Sequence, residues 1–385
     1  MKSNYNTIKY HFDEFLFSLL FWIVTSMFFL FVKINDLSTI DIINIYKVEP
    51  YIDKKFLYIN TFIISFIFGS INAYLHSFVY NRILRNAPFW KIIFIRLILF
   101  FVVSLSISVG IFKLFYGYNF LELIFSDHRR TSIGYIGFYF YWIFTDLVLT
   151  SILQLRRSLG VGFFENFIKS KYNKPKTEYR IFMFLDLANS TPTVEKLGAI
   201  KFSSYIQDCF LILSDVVIKY NGLIYQFVGD EAVINWKVKC KFKYEDCLDL
   251  YFEFQKKIDE QEAYFLEKYD LKPEFRCSLN DGQVSVAFVG DAKREIAFHG
   301  NVLNVGSRLQ HLAKDYNTNM IISDSFYQKL EEKEKYQIEK LENISLRGVH
   351  DVVDAYKVCE KNSYNVANAY TNDKTEVIIP TKNTI

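Results

Sequence analysis

The sequence predicts an α-helical transmembrane bundle followed by an α+β domain, and two observations lead to this division. Of the 385 residues, 51% are hydrophobic, and the long uncharged runs are crowded into the N-terminal part. From about residue 179 onward, short apolar runs alternate with amphipathic segments and turn residues, a pattern typical of mixed strands and helices. The 45 Lys and Arg against 42 Asp and Glu leave a net charge of +3, too balanced to indicate a nucleic-acid partner.

Four segments are long and apolar enough to cross a hydrocarbon core of about 30 Å. They are residues 15–32, 56–75, 92–112 and 131–155. Arg82, Arg85 and Lys91 lie between the second and third segments without an acidic neighbour. Arg156 and Arg157 directly follow the fourth. Because short cytoplasmic loops are enriched in Lys and Arg, we predict a multi-pass protein of the inner (plasma) membrane with both termini in the cytoplasm. Five scattered cysteines without a CxxC pair indicate reduced thiols there.

Two charged residues interrupt the predicted spans. Arg96 lies near the start of the third span, and Asp146 lies within the fourth. A charge in lipid is costly unless it faces the interior of the bundle, and both residues lie toward the cytoplasmic ends of neighbouring spans. We hypothesise that they pair. The alternative is that Arg96 extends to the membrane surface while Asp146 lies in a hydrated crevice.

Residues 156–178 combine an aromatic face with basic residues, and we expect them to form a helical connector. Such a connector would transmit motion or oligomeric state from the bundle to the domain that follows. The alternative is an interfacial anchor without a signalling role.

The domain at residues 179–360 begins with a predicted strand that ends at Asp186, followed by a long helix from about Pro192. The next predicted elements are a hairpin, a second long helix and two strands, at residues 222–227, 232–236, 244–269, 275–279 and 284–289. This βαββαβ order is ferredoxin-like. We expect a further helix from about Val302, a strand at residues 320–322, a helix from Ser323 and a disordered tail at residues 361–385.

Two carboxylates fall at neighbouring positions of this predicted sheet. Asp186 ends the first strand, and Asp230 lies at the tip of a hairpin that should pair beside it. Divalent cations prefer hard oxygen ligands, so two carboxylates at one sheet edge indicate a site for a cation pair that leaves room for phosphate oxygens. Residues 187–191 then lead into a helix N-terminus, whose free N–H groups bind phosphate. Either aspartate alone could instead be a strand-end cap or a turn residue.

Four strings occur in order, and together they resemble the catalytic domain of the class III nucleotidyl cyclases. The strings are FMFLDLANST, IYQFVGDEAVINW, REIAFHGNVLNVGSRLQ and SLRGVHDVVDAY. The resemblance implies that two divalent cations, Mg²⁺ or Mn²⁺, are held by Asp186, Asp230 and the backbone carbonyl of Leu187. It also implies that a 3′-hydroxyl attacks the α-phosphate of a nucleoside triphosphate and that pyrophosphate leaves.

The resemblance assigns roles to several further residues. Asn304 would orient the ribose, Arg308 would stabilise the transition state, and Arg347 would bind the terminal phosphates. Independently of the resemblance, the helix N-terminus predicted after Asp186 would bind the substrate phosphates at Asn189, Ser190 and Thr191. Because the metal ligands come from one subunit in this family and the residues matching Asn304 and Arg308 come from the other, the resemblance implies a head-to-tail homodimer. Asn304, Arg308 and Arg347, each taken alone, could be ordinary surface residues.

Two residues depart from the family pattern at the positions that choose the base. Gln226 and Ala297 stand where Lys with Asp or Thr is common for adenine, and where Glu with Cys is common for guanine. A glutamine amide both donates and accepts hydrogen bonds, so it could bind adenine or a pyrimidine, whereas alanine forms no side-chain hydrogen bond. These residues therefore leave the base open.

The expectation is a membrane-embedded cyclase that converts ATP to 3′,5′-cyclic AMP for intracellular signalling, with ATP favoured by its abundance. One alternative is a pyrimidine cyclase that makes cyclic CMP or cyclic UMP in antiviral defence. Another is a non-catalytic module that binds nucleotide and regulates a membrane partner. A diguanylate cyclase is disfavoured, because its GG(D/E)EF turn differs from the VGDE at residues 228–231.

Overall fold

The computed structural model describes residues 2–36, 54–80, 87–116, 129–344 and 353–361. The chain divides into two compact units, Thr7–Leu159 and Gly160–Ile385 together with Met1–Asn6. Arg347, the loop residues Arg82 and Arg85, and the predicted tail beyond residue 361 lie outside the described residues.

The described part of the first unit is helical. Its helices are α1 (Lys2–Asp36), α2 (Lys54–Tyr74), α3 (Phe89–Tyr116) and α4 (Arg129–Leu159), and α2 continues as a π-helical segment, Leu75–Tyr80. Each of the four predicted spans falls within one of these helical stretches. Among the described residues, Asn6–Val32 and Thr61–Val79 are long and apolar enough to cross a membrane, which supports the first two of the four predicted spans. The third and fourth spans stay predictions.

One aromatic side chain from each of these helices meets in the core of the first unit. Trp22 stacks on Phe100 and Trp142, with ring centroids 5.7 and 5.2 Å away, and Phe68 meets it edge-on at 5.4 Å. Gly69 lets α2 approach this core, because a Cβ there would lie 2.9 Å from the Cβ of Trp22. Close aromatic packing therefore joins the four helices.

The structure confirms the predicted pair between Arg96 and Asp146. Arg96 Nη2 lies 3.0 Å from Asp146 Oδ1, and both residues are buried. Because a buried charge without a partner is costly, each residue compensates the other, and the pair links α3 to α4.

The second unit alternates strands and helices. It begins with helix α5 (Val161–Ile168), strand β1 (Lys176–Leu187) and helices α6 (Ser190–Leu197) and α7 (Ala199–Lys219). The hairpin of β2 (Leu223–Val228) and β3 (Glu231–Lys237) leads to helices α8 (Glu245–Glu260) and α9 (Glu262–Tyr269). The remaining elements are β4 (Phe275–Val289), β5 (Glu295–His299), α10 (Asn301–Asp315), β6 (Met320–Ser323), α11 (Asp324–Tyr327), the 3₁₀ turn Lys333–Lys335, β7 (Tyr336–Ile344) and β8 (Val353–Glu360).

These strands form one mixed sheet in the order β2-β3-β1-β4-β6-β8-β7, with β5 paired to β4. The first four strands of this order are antiparallel, which confirms the predicted ferredoxin-like arrangement. Strand β6 then pairs parallel to β4. The central position of β1 places its end, and therefore Asp186, between β3 and β4.

Some predicted elements have different bounds in the structure. The two strands expected at 275–279 and 284–289 are the single strand β4, because the residues between them stay paired with β1, and Asn280 and Asp281 are buried. Asn280 Nδ2 donates to Val302 O at 2.8 Å, and Asp281 accepts from Ser325 Oγ at 2.7 Å. The helix expected from Pro192 breaks at Gly198, whose φ of 72° favours glycine. The helix expected at 244–269 is α8 and α9, β1 begins within the connector range 156–178, and β5, β7 and β8 were not predicted.

Helix α10 lies close to the centre of the sheet. A Cβ on Gly306 would lie 2.5 Å from the Phe184 ring of β1, so glycine permits the close approach. Ser278 Oγ donates to the carbonyl of Gly306 at 2.6 Å, which fixes α10 to β4 as well. The helix is thus held against the two strands that carry Asp186 and its neighbours.

A buried carboxylate anchors the start of β1. Glu178 lies 2.7 Å from Arg180 Nη2, 2.5 Å from Lys237 Nζ and 3.2 Å from Lys171 Nζ, and it accepts a hydrogen bond from the Tyr172 hydroxyl at 3.0 Å. Burial alone would raise the pKa of Glu178, but the hydrogen bonds from Lys237 and Arg180 outweigh it and lower the pKa to about 2. The cluster ties residues 171–172, which follow α5, to the sheet.

We predict that Glu178→Gln destabilises the second unit by roughly 3 kcal/mol at pH 7. A carboxyl whose pKa is lowered in the folded protein stabilises the fold at a pH above 4.5, the ordinary pKa of glutamate, and this contribution is lost as the pH falls toward about 2. The difference between variant and wild type should therefore shrink across that window in thermal unfolding curves. The exposed Glu262→Gln is the control, with an expected change within about 0.5 kcal/mol. A pH-independent difference would contradict the prediction.

Candidate active site

The structure brings the two predicted carboxylates together. Asp186 is the penultimate residue of β1, and Asp230 lies in the two-residue turn between β2 and β3. Because β1 pairs with β3 in the register Leu185↔Ala232, the end of β1 meets this turn. Gly229 makes the turn possible with a φ of 64°, a left-handed conformation that favours glycine.

The electrostatics of this pair are unfavourable without a cation. Burial, and then the charge of Asp230, raise the pKa of Asp186 above its ordinary value, although a hydrogen bond from Gln310 opposes the shift. Burial and the same two aspartates also raise the pKa of Glu231. Oδ2 of Asp230 is buried and has no hydrogen-bond partner among the described residues. The site therefore concentrates negative charge and leaves an acceptor unused.

A cavity of about 320 Å³ opens beside Asp186. The predicted residues Leu187, Asn189, Ser190 and Thr191 line it. Asn189 adopts a left-handed conformation with a φ of 58°, and α6 begins at the next residue. The free backbone N–H groups at the start of α6 therefore lie at the cavity that also contains Asp186, an arrangement suited to binding an anion next to a cation.

The donor set fits a divalent cation that keeps open coordination positions. No group of three or more His, Cys, Asp or Glu side chains among the described residues is arranged to hold a metal ion. Two carboxylates beside an open cavity instead match Mg²⁺, which is commonly bound by one or two carboxylates together with substrate phosphates. The unused Oδ2 of Asp230 and the charge repulsion at Asp186 are consistent with a cation between them.

The remaining predicted residues lie elsewhere in the unit. Gln226 is exposed on β2 and Ala297 is partly buried on β5, and their neighbours Tyr225 and Phe298 are in contact, with ring centroids 4.9 Å apart. Asn304 is exposed and Arg308 is partly exposed on α10. None of the four predicted residues lines the cavity at Asp186. Arg347 is outside the described residues.

Four further side chains line the cavity and were not singled out from the sequence. They are Arg276, Gln310, His311 and Lys314. Gln310 stands two residues after Arg308, at the end of one of the strings that resemble the cyclases. The sequence therefore shows where Gln310 lies in the chain but not that it contacts Asp186. Arg276 lies opposite Asp186 in the pairing of β1 with β4, a register that a single sequence does not reveal.

Comparison with known proteins agrees with this geometry. Residues 173–360 match the family model described as "Adenylate and Guanylate cyclase catalytic domain". This part of the chain is therefore similar to the catalytic domain of adenylate and guanylate cyclases.

Two curated proteins of Rhizobium meliloti (strain 1021) are similar to the chain. "Adenylate cyclase 2" is 30% identical over 190 residues, which cover 49% of this chain and 52% of that protein. "Adenylate cyclase 1" is 24% identical over 191 residues, which cover 46% of this chain and 27% of that protein. The chain thus spans about half of the first relative and about a quarter of the second.

Among solved structures, the adenylyl cyclase CyaB from P. aeruginosa is 19% identical with a TM-score of 0.44, covering 49% of this chain and 97% of that one. The guanylate cyclase domain of RhGC from Catenaria anguillulae, in complex with GTP, is 18% identical with a TM-score of 0.41, covering 48% of this chain and 98% of that one.

We predict that Asp186→Asn raises the thermal stability of the metal-free protein at pH 7, because it removes one charge from the repelling pair. A carboxyl whose pKa is raised in the folded protein destabilises the fold as the pH rises above 3.8, the ordinary pKa of aspartate, and through the raised pKa. The gain should therefore vanish as the pH falls toward 3.8, and saturating Mn²⁺ should reverse it. The exposed Asp259→Asn is the matched control. A lower melting temperature for Asp186→Asn at pH 7 without metal would contradict this interpretation.

Proposed function

We propose that this chain is a membrane-anchored nucleotidyl cyclase that converts ATP to 3′,5′-cyclic AMP and pyrophosphate. The observation that carries the proposal is the half-buried pair of Asp186 and Asp230 beside a cavity that also contains a helix N-terminus. The match of residues 173–360 to the cyclase catalytic domain and the similarity to "Adenylate cyclase 2" support the reaction and the choice of ATP.

In this mechanism, the chain's own residues bind and orient the substrate. Asp186, Asp230 and the carbonyl of Leu187 would hold two Mg²⁺ or Mn²⁺ ions. When bound, these ions would activate the attacking 3′-hydroxyl and neutralise charge on the α-phosphate. The backbone N–H groups at residues 189–191 would bind the terminal phosphates. The cationic side chains of Arg276 and Lys314 line the same cavity, where they would offset the charge of the triphosphate and of the departing pyrophosphate.

A homodimer would complete the site. Asn304 and Arg308 are accessible on α10 and do not line the cavity of their own chain, which is compatible with their acting on the substrate held by a partner subunit. Asn304 would orient the ribose there, and Arg308 would stabilise the charge that develops in the transition state. Arg347 would contact the terminal phosphates.

We place the protein in the inner (plasma) membrane as a multi-pass protein, with the catalytic domain at residues 179–360 in the cytoplasm and residues 156–178 as the connector. The two long apolar helical segments Asn6–Val32 and Thr61–Val79 support membrane insertion. The pair between Arg96 and Asp146 supports it as well, because opposite charges that meet inside a helical bundle are tolerated in lipid.

A second candidate keeps the reaction and changes the base. Gln226 and Ala297 lack the charged group expected for reading a purine, and the Gln226 amide could bind a pyrimidine equally well. The product would then be cyclic CMP or cyclic UMP, with a role in antiviral defence.

We predict that full-length protein in membranes, with Mn²⁺, forms cyclic AMP from ATP, and that Asp186→Ala reduces product formation by at least about 10²-fold. ATP, GTP, CTP and UTP are supplied separately, and products are resolved by mass spectrometry. The control is Asp259→Ala, an exposed aspartate on α8, for which we expect wild-type activity. A cyclic pyrimidine as the main product would support the second candidate. No product from any nucleotide would contradict both and favour a non-catalytic module.

We predict that Asp186→Ala and Arg308→Ala are each inactive alone and complement each other when co-expressed. A mixed head-to-tail dimer contains one intact site, so random pairing should restore about a quarter of wild-type activity. The measurement is cyclic nucleotide formation in membranes that contain both variants. Asp186→Ala combined with Asp230→Ala is the control pair, because both changes damage the same half-site. If co-expression of Asp186→Ala with Arg308→Ala restores no more activity than the control pair does, the shared site is contradicted.

A further inference from the structure

Gln310 makes a direct contact with the candidate cation site. Its Nε2 donates a hydrogen bond to Asp186 Oδ2 at 3.0 Å, and the residue is only 5% exposed. The mechanism proposed above gives this side chain no role. A neutral donor to the carboxylate fixes one oxygen of Asp186 without adding positive charge that would compete with a cation.

The other end of the Gln310 amide is unsatisfied. Its Oε1 is buried and has no hydrogen-bond partner among the described residues, and Gln310 lines the cavity at Asp186. A buried acceptor without a partner destabilises the protein, because it loses its hydrogen bonds to water without gaining others. A donor that enters the cavity would remove this cost, and the water molecules that a Mg²⁺ or Mn²⁺ ion retains are such donors.

The position of Gln310 follows from how α10 packs. Gly306 lies against Phe184 of β1, and Gln310 is one helical turn later, on the same side of α10. Two residues along β1 from Phe184 stands Asp186. The close approach at Gly306 therefore places Gln310 within hydrogen-bond distance of Asp186.

We propose that Gln310 is a positioning residue of the cation site, whose Nε2 fixes Asp186 and whose Oε1 accepts a hydrogen bond from a cation-bound water. This inference rests on the proposed function, because it requires that Asp186 and Asp230 bind divalent cations. Outer-shell groups of this kind typically change metal affinity 10–100-fold when they are removed.

The test is Mn²⁺ binding to the full-length protein in detergent, measured by electron paramagnetic resonance with Mn²⁺ alone. Asp186→Ala defines binding that does not depend on the site. Gln310→Met keeps the length of the side chain and removes both polar groups, and we expect it to weaken the Asp186-dependent binding about 10–100-fold. Gln255→Met is the matched control, because Gln255 on α8 also has a buried Oε1 without a partner but does not line the cavity. We expect it to leave Mn²⁺ affinity unchanged.

Gln310→Glu separates positioning from a purely structural role. The added carboxylate should lower the melting temperature of the metal-free protein and tighten Mn²⁺ binding, because it adds negative charge beside Asp186. A structural role would destabilise both variants and would not strengthen binding in either. If Gln310→Met and Gln310→Glu both bind Mn²⁺ with wild-type affinity, and this binding still depends on Asp186, the role of Gln310 is overturned and the proposed cation site is not. No Asp186-dependent binding in the wild type would overturn the proposed cation site and this inference with it.

Discussion

The carboxylates of Asp186 and Asp230 lie side by side in a partly buried position, and the other features of the candidate site in the second unit depend on this arrangement. Asp186 and Asp230 raise each other's energy when both are charged, and the fold gives them no cationic side chain as a direct partner among the described residues. A protein that maintains such a pair loses stability in the metal-free state. The loss is explained if the pair serves to bind cations together with the phosphates of a substrate.

The elements that surround Asp186 and Asp230 explain why the two carboxylates do not move apart. Strand β1 lies in the middle of the sheet, so its end cannot move without breaking its pairing to β3 and β4. Helix α10 is locked against β1 by the contact of Gly306 with Phe184. The same helix carries Arg308 about 200° around its axis from Gln310. In the proposed dimer, α10 would therefore link the cation site of its own chain to the substrate held by the partner subunit.

The sequence was sufficient for the order of the core elements and for the meeting of Asp186 with Asp230, because strand ends and a tight turn follow from local patterns. The sequence was not sufficient to predict β4 as one strand. Its buried polar residues have the composition of a turn, and only their hydrogen bonds to distant residues show that the strand continues through them. The contact of Gln310 with Asp186 depends on the packing of α10 over β1, which no local pattern encodes. Gln226 and Ala297 stay uninformative about the base, because a glutamine amide both donates and accepts hydrogen bonds and an alanine side chain forms none.

X-ray diffraction at the manganese absorption edge, from crystals of the protein grown with Mn²⁺ and inorganic triphosphate, tests directly whether Asp186 and Asp230 bind cations. The proposed cation site predicts anomalous density between Asp186 and Asp230, with their carboxylate oxygens bound to the metal and phosphate oxygens completing its coordination. Absence of anomalous density at these residues, with both carboxylates satisfied by protein donors instead, would contradict it.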